Sequence, residues 1–159
     1  MLKILFAILL GVMLAFFIGL GIEAFYPTEK FPETPAELQF GQETKAINGG
    51  LSAEQIKIQK DFDQMVKDYQ KRNETHARNV SMMAIAASII FMALALIVLQ
   101  NFSDVFSNGF LIGSILTLLY GIIRGFESSD NKFRFLIVTV GLIFALILGY
   151  IKFIKQKEV

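Results

Sequence analysis

The residues in this chain that could do chemistry are few and poorly placed for it. His76 is the only histidine, and neither an HExxH pattern nor a second histidine stands at metal-ligand spacing. Asp61 and Asp63 are two residues apart, so on a helix their carboxylates diverge and cannot share a proton or a metal. The absence of cysteine removes disulfides, thiolate metal sites and thiol nucleophiles. An active site needs converging acids, a nucleophile with its base, or a metal cluster. None of these can be assembled here. The sequence therefore predicts a protein that is not an enzyme and uses no cofactor or metal, with a membrane-embedded enzyme the least favoured class.

Three polar features remain. Glu23 follows one long apolar run and Arg124 ends another. In an up-and-down topology those two ends lie on the same side, which makes Glu23 and Arg124 a candidate interfacial ion pair. The functional alternative is a charge facing an ion or proton path. The segment Glu127-Ser128-Ser129-Asp130-Asn131 could hold a cation, but capping of the following helix by Ser129 or Asp130 accounts for it better.

The elements that would carry these residues are set by where charge is missing. The chain has 159 residues, is 54% hydrophobic and has a net charge of +1, yet 17 of its 29 charged residues fall between Pro27 and Arg78. Residues 4–22, 80–99, 105–123 and 135–151 are free of charge, and each run is close to the ~20 residues needed to cross hydrocarbon. A short chain in lipid satisfies its backbone within helices, and the alternation of a barrel strand is missing. The predicted fold is all-α: a four-transmembrane-helix bundle with a helical stalk extending from the second span. The near balance of acids and bases gives no nucleic-acid signature.

The expected segments are a first transmembrane helix over residues 1–26, kept as an uncleaved signal anchor, and a Pro-rich extended arm over 27–50. A soluble amphipathic stalk over 51–78 then continues into the second span over 79–100. The third and fourth spans are expected over 104–125 and 133–154, with a short basic tail over 155–159. The apolar run of the first span exceeds the usual ~7–15 residues of a signal core. Pro27, Pro32 and Pro35 disfavour helix in the arm. Ser52 and Gln55 read as a capping box, and Leu51 with Ile56 as a hydrophobic staple, so the stalk should begin there.

Basic residues divide the orientation evidence. Lys3 before the first span, and Lys152, Lys155 and Lys157 after the last, favour cytoplasmic termini, while the larger total of basic residues in the two loops favours the reverse. The first helix usually dominates. The expectation is a bacterial inner-membrane protein with both termini cytoplasmic and residues 27–78 outside.

Small residues recur every fourth position. The third span holds Gly109, Gly113, Thr117, Gly121 and Gly125, the first Ala7, Gly11, Ala15 and Gly19, and the fourth Gly141, Ala145 and Gly149. The second shows only scattered Ser81, Ala84, Ala87, Ser88 and Ala95. Such rows let helix backbones approach closely in lipid, where apolar burial drives little. They serve either internal packing or assembly with other subunits. The stalk adds a stripe of Ile58, Phe62, Met65 and Tyr69, continued by Arg72, His76, Asn79 and Met83 in alternating steps of four and three. That is a coiled-coil rhythm, to be covered by the chain's own arm, by a copy or by a partner.

Helix count alone resembles the connexins and innexins, whose loops are cross-linked by cysteines that this chain lacks. The segment Gly21-Ile22-Glu23-Ala24-Phe25-Tyr26-Pro27 resembles small uncharacterised four-helix membrane proteins of bacteria, a resemblance that implies no activity. The favoured role is a self-assembling or complex-forming membrane subunit, its partners the lipid bilayer and copies or other membrane subunits. The alternative is an oligomeric pore or transporter component.

Overall fold

The computed structural model describes residues 1–36, 38, 53–98 and 103–151. It is all-helical over its regular elements, with α1 (Leu2–Phe25), α2 (Ala53–Ala93), α3 (Asp104–Gly125) and α4 (Asn131–Gly149). A π-helical turn, Leu94–Val98, continues α2. Four helical segments are long and apolar enough to cross a membrane: α1, α3, α4 and the stretch Ala53–Ile97. The chain divides into two compact units, one made of Met1–Pro27 with the chain from His76 onward, the other Thr28–Thr75.

In the first unit the organising element is α3. Gly11 of α1 lies against Gly109 and Ile112, and Gly113 lies against Gly11 and Leu14, so sequence numbers rise together and α1 runs parallel to α3. The second span runs the other way. Ser81 Oγ donates to the Gly121 carbonyl at 2.7 Å, and Ser107 Oγ donates to the Ala95 carbonyl at 2.9 Å, which fixes an antiparallel register. The α4 helix is antiparallel as well, with Ile137 beside Gly125 and Ile122 beside Gly141. An up-and-down order of spans follows from these three pairings.

The ends of the helices have local causes. Pro27 has no amide proton to continue α1, whose last cap bond runs from the Tyr26 N–H to the Ile22 carbonyl. Asp130 accepts from the Lys132 N–H at 2.9 Å and starts α4 at Asn131, two residues before the expected 133. Ala95 lies in the π turn, where the regular carbonyl ladder is interrupted, and the Ser107 hydroxyl supplies a bond to its carbonyl there. The predicted Leu51–Ser52 start of the stalk, Gly49 and Gly50, Lys152 and the 155–159 tail lie outside the described residues, although α2 is helical from Ala53.

The second unit holds the first part of the Pro-rich arm and most of the stalk. Phe31 packs edge-on against Tyr69 at 5.3 Å, and Glu29 pairs with Arg72 at 2.7 Å. Both partners of that pair are more than half exposed, which limits its worth to about 0–1 kcal/mol. The arm is therefore what meets Tyr69 and Arg72 on the stripe. Ile58 and Phe62 are half-buried and Met65 is exposed.

Candidate functional site

The third span's row of small residues is buried throughout, at Gly109, Gly113, Thr117, Gly121 and Gly125. It does not face one neighbour. A step of four residues on a helix of 3.6 per turn advances by about 40°, so the row winds about 160° around α3 over its length. Its first part meets α1, where a Cβ on Gly109 would stand 2.7 Å from Leu10 and one on Gly113 2.7 Å from Leu14. Its middle meets α2, where a Cβ on Gly121 would stand 3.1 Å from both Ala84 and Ile85. Its last member, Gly125, sits between Ser81 of α2 and both Ile137 and Phe133 of α4. One row thus serves three partners.

The rows on α1 and α4 are used only in part. Gly11 is tightly enclosed, with Ile112 at 2.6 Å and the Gly109 carbonyl at 2.9 Å from a would-be Cβ. Gly19, two turns later, has nothing within 4 Å. On α4, Gly141 meets Ile122 at 2.9 Å while Gly149 again faces open space, and Ala145 is exposed. Only Ala7 and Gly11 of α1 are buried.

The second span's small residues prove to be ordered. Ala77, Ser81, Ala84, Ser88 and Ala95 are buried and fall on a heptad rhythm, as do Ser107, Leu111, Ser114, Leu118 and Gly121 of α3. The two interhelical hydroxyl bonds lie fourteen residues apart on each helix, and the shared register puts Ser88 and Ser114 at the same level midway between them. Ser81, Ser88, Ser114 and Thr117 are all 0% exposed. The seam is an antiparallel zipper of small and hydroxyl residues. Ser88 and Ser114 satisfy themselves on their own helices, at the Ile85 and Leu111 carbonyls. The Thr117 hydroxyl has no partner. This period-seven signal was present in the sequence, at Ser81, Ser88 and Ala95 and again at Ser107, Ser114 and Gly121, but a search at spacing four passes over it.

The expected Glu23–Arg124 pair is replaced by a local one. Arg124 Nη1 donates to both carboxylate oxygens of Glu127, at 2.8 and 2.7 Å, while Glu23 is exposed. Glu127 is three residues on, in the turn that leaves α3, so the contact costs less chain ordering than one between separate helices. Glu127→Gln should lower stability by about 0.5 kcal/mol and Glu23→Gln should leave it unchanged. A double-mutant cycle in detergent reads this directly. Stronger coupling of Arg124 to Glu23 than to Glu127 would restore the interhelical pair.

His76 has a structural task. Its ring stacks on Tyr26 at 4.5 Å with a 3° interplanar angle, its Nε2 is 2.8 Å from the Tyr26 carbonyl, and Asn79 donates to the Tyr26 hydroxyl at 3.0 Å. These contacts fasten the end of α1 to α2. Asp61 and Asp63 are exposed, and no cluster of potential metal ligands occurs among the described residues. Asp130 is committed to its cap, and Arg134 clamps the same turn, donating to the Ser128 and Phe126 carbonyls at 2.6 and 3.0 Å. The arrangement is suited to packing helices.

No protein-family model, curated protein or solved structure matches the chain. Its geometry alone must support a functional reading.

Proposed function

We propose that this is a non-enzymatic integral membrane subunit that assembles with copies of itself or with other membrane proteins through the outer surfaces of α1 and α4. The observation that carries the reading is the unequal use of the small-residue rows. Gly11, Gly109, Gly113, Gly121 and Gly125 are enclosed within the chain, whereas Gly19 and Gly149 continue their rows into open space. A small residue with no partner gives a second helix room for close backbone approach in lipid. The enclosure of Gly11 supports keeping the first helix as part of the working bundle. Lys3 before that helix supports cytoplasmic termini in a bacterial inner membrane.

Particle mass in detergent tests the assembly. Gly19→Leu together with Gly149→Leu should reduce a multi-chain particle to a single chain while helix content stays native. A native protein of single-chain mass, or a multi-chain mass indifferent to both substitutions, would overturn the reading.

A further inference from the structure

The helices α3 and α4 meet at Gly125 and Ile137, and a groove of about 700 Å³ runs along them beyond this contact. Its walls include Leu111, Ile115 and Leu118 on α3 and Val138, Gly141 and Ala145 on α4, and every side chain lining it is apolar. The lining extends along α4 from Val138 to Gly149, a rise of about 16 Å at 1.5 Å per residue. That is close to half of a ~30 Å hydrocarbon core, about the reach of one lipid tail.

A cation stands beyond the closed end. Arg134 stands one turn before Val138 on the same row of α4, and its guanidinium reaches across to the carbonyl of Phe126, one turn past the groove residue Ile122. Its bonds go to the neutral carbonyl oxygens of Phe126 and Ser128. Neither Arg72–Glu29 nor Arg124–Glu127 involves Arg134, whose bonds hold it to backbone oxygens. Asp130, close by in sequence, turns its carboxylate to the Lys132 N–H. An apolar slot about as long as one lipid tail, with a cation beyond one end, has the shape and charge of an anionic amphiphile. The cation favours an anionic lipid over a second copy's transmembrane helix, whose charge-free run offers it no counter-charge.

The geometry points to an anionic phospholipid held with one acyl chain between α3 and α4 and its phosphate against Arg134. Basic residues at the ends of crevices between membrane helices recognise lipid headgroups in this way. The groove shares Gly149 with the assembly surface proposed above, while its recognition element, Arg134, lies at the opposite end.

The test uses the full chain in nanodiscs of equal phosphatidylglycerol and phosphatidylcholine, with retained lipids counted by native mass spectrometry. The native protein should keep one lipid and favour phosphatidylglycerol about fivefold, as expected for one basic residue near the headgroups. Arg134→Gln should remove the preference and Arg134→Lys should retain most of it, which separates the charge from the clamp on the turn. Ala145→Phe should fill the slot and release lipid of either kind with helix content unchanged. Equal retention of the two lipids by the native protein, loss of preference in Arg134→Lys, or undiminished retention in Ala145→Phe would each overturn the proposal. So would a groove variant that lowers particle mass instead of lipid content.

Discussion

Replacing Gly11 with isoleucine is expected to break the α1–α3 contact, while the same replacement at Gly19 leaves the bundle intact. The two glycines lie on one helix, eight residues apart and in the same row, so composition and helix propensity change equally. Their surroundings differ. A Cβ on Gly11 would stand 2.9 Å from the Gly109 carbonyl and 2.8 Å from Ile112 Cβ, atoms that cannot swing aside as the tip of a side chain can. Relief requires the helices to part, which also removes the fit of Leu10 and Leu14 over Gly109 and Gly113. The cost should reach about 3 kcal/mol, the upper part of the range for overpacking. Gly19→Ile meets open space within the chain and should change the stability of the single-chain bundle by no more than about 0.5 kcal/mol. Unfolding in mixed micelles followed by circular dichroism compares them, and equal losses would place the close approach elsewhere.

Thr117→Val should raise stability, and Ser81→Ala should lower it. Both hydroxyls are 0% exposed, and they differ in what they bond. The Thr117 Oγ1 has no partner, so it carries a desolvation cost of about 1–3 kcal/mol that an isosteric valine removes. Ser81 Oγ spans α2 and α3 to the Gly121 carbonyl, and bonds of this kind between membrane helices contribute about 0.6 kcal/mol, up to about 1.7. The same unfolding assay gives both signs. A destabilised Thr117→Val would mean that the hydroxyl has a bond in the membrane.

The contrast between these sites shows how far sequence could be read. The four spans were legible because charge is absent from each of them, and a cap at Ser129 or Asp130 was legible before the fourth helix, but not that Asp130 takes it and starts the helix at Asn131 instead of 133. The row in α3 was also legible, but not its division among three neighbours. A spacing of four drifts around a helix of 3.6 residues per turn, and that drift, not a change of residue type, hands Gly113 to α1, Gly121 to α2 and Gly125 to α2 and α4 together. Spacing could not separate Gly11 from Gly19 either, because occupancy of a row depends on where a partner helix stops. The zipper of Ser81, Ser88, Ser107 and Ser114 was hidden by its seven-residue period. Arg124 was matched to Glu23 by topology, yet Glu127 reaches it within a single turn of chain.

The same physics links packing to function. A row used up inside one chain holds the fold, and a row that outruns its partner offers a place for another subunit. Gly113 and Gly121 therefore report on folding, and Gly19 and Gly149 test the assembly proposed above. Substitutions at Gly113 or Gly121 cannot by themselves test association, because they damage the subunit first.

The central claim is that the small residues of α3 are spent within one chain, in a fixed order. The chain has no cysteine of its own, so a pair of introduced cysteines reports on this without background. A Cβ at position 121 would lie 3.1 Å from Ala84 Cβ, a few tenths of an ångström short of the ~3.5–4.5 Å range of a disulfide. Position 109 lies twelve residues away, about 18 Å along the axis. Oxidation of Ala84→Cys with Gly121→Cys should give a cross-link within the single chain, and Ala84→Cys with Gly109→Cys should give none. A cross-link that doubles the mass, or one that forms at 109 and not at 121, would contradict the account.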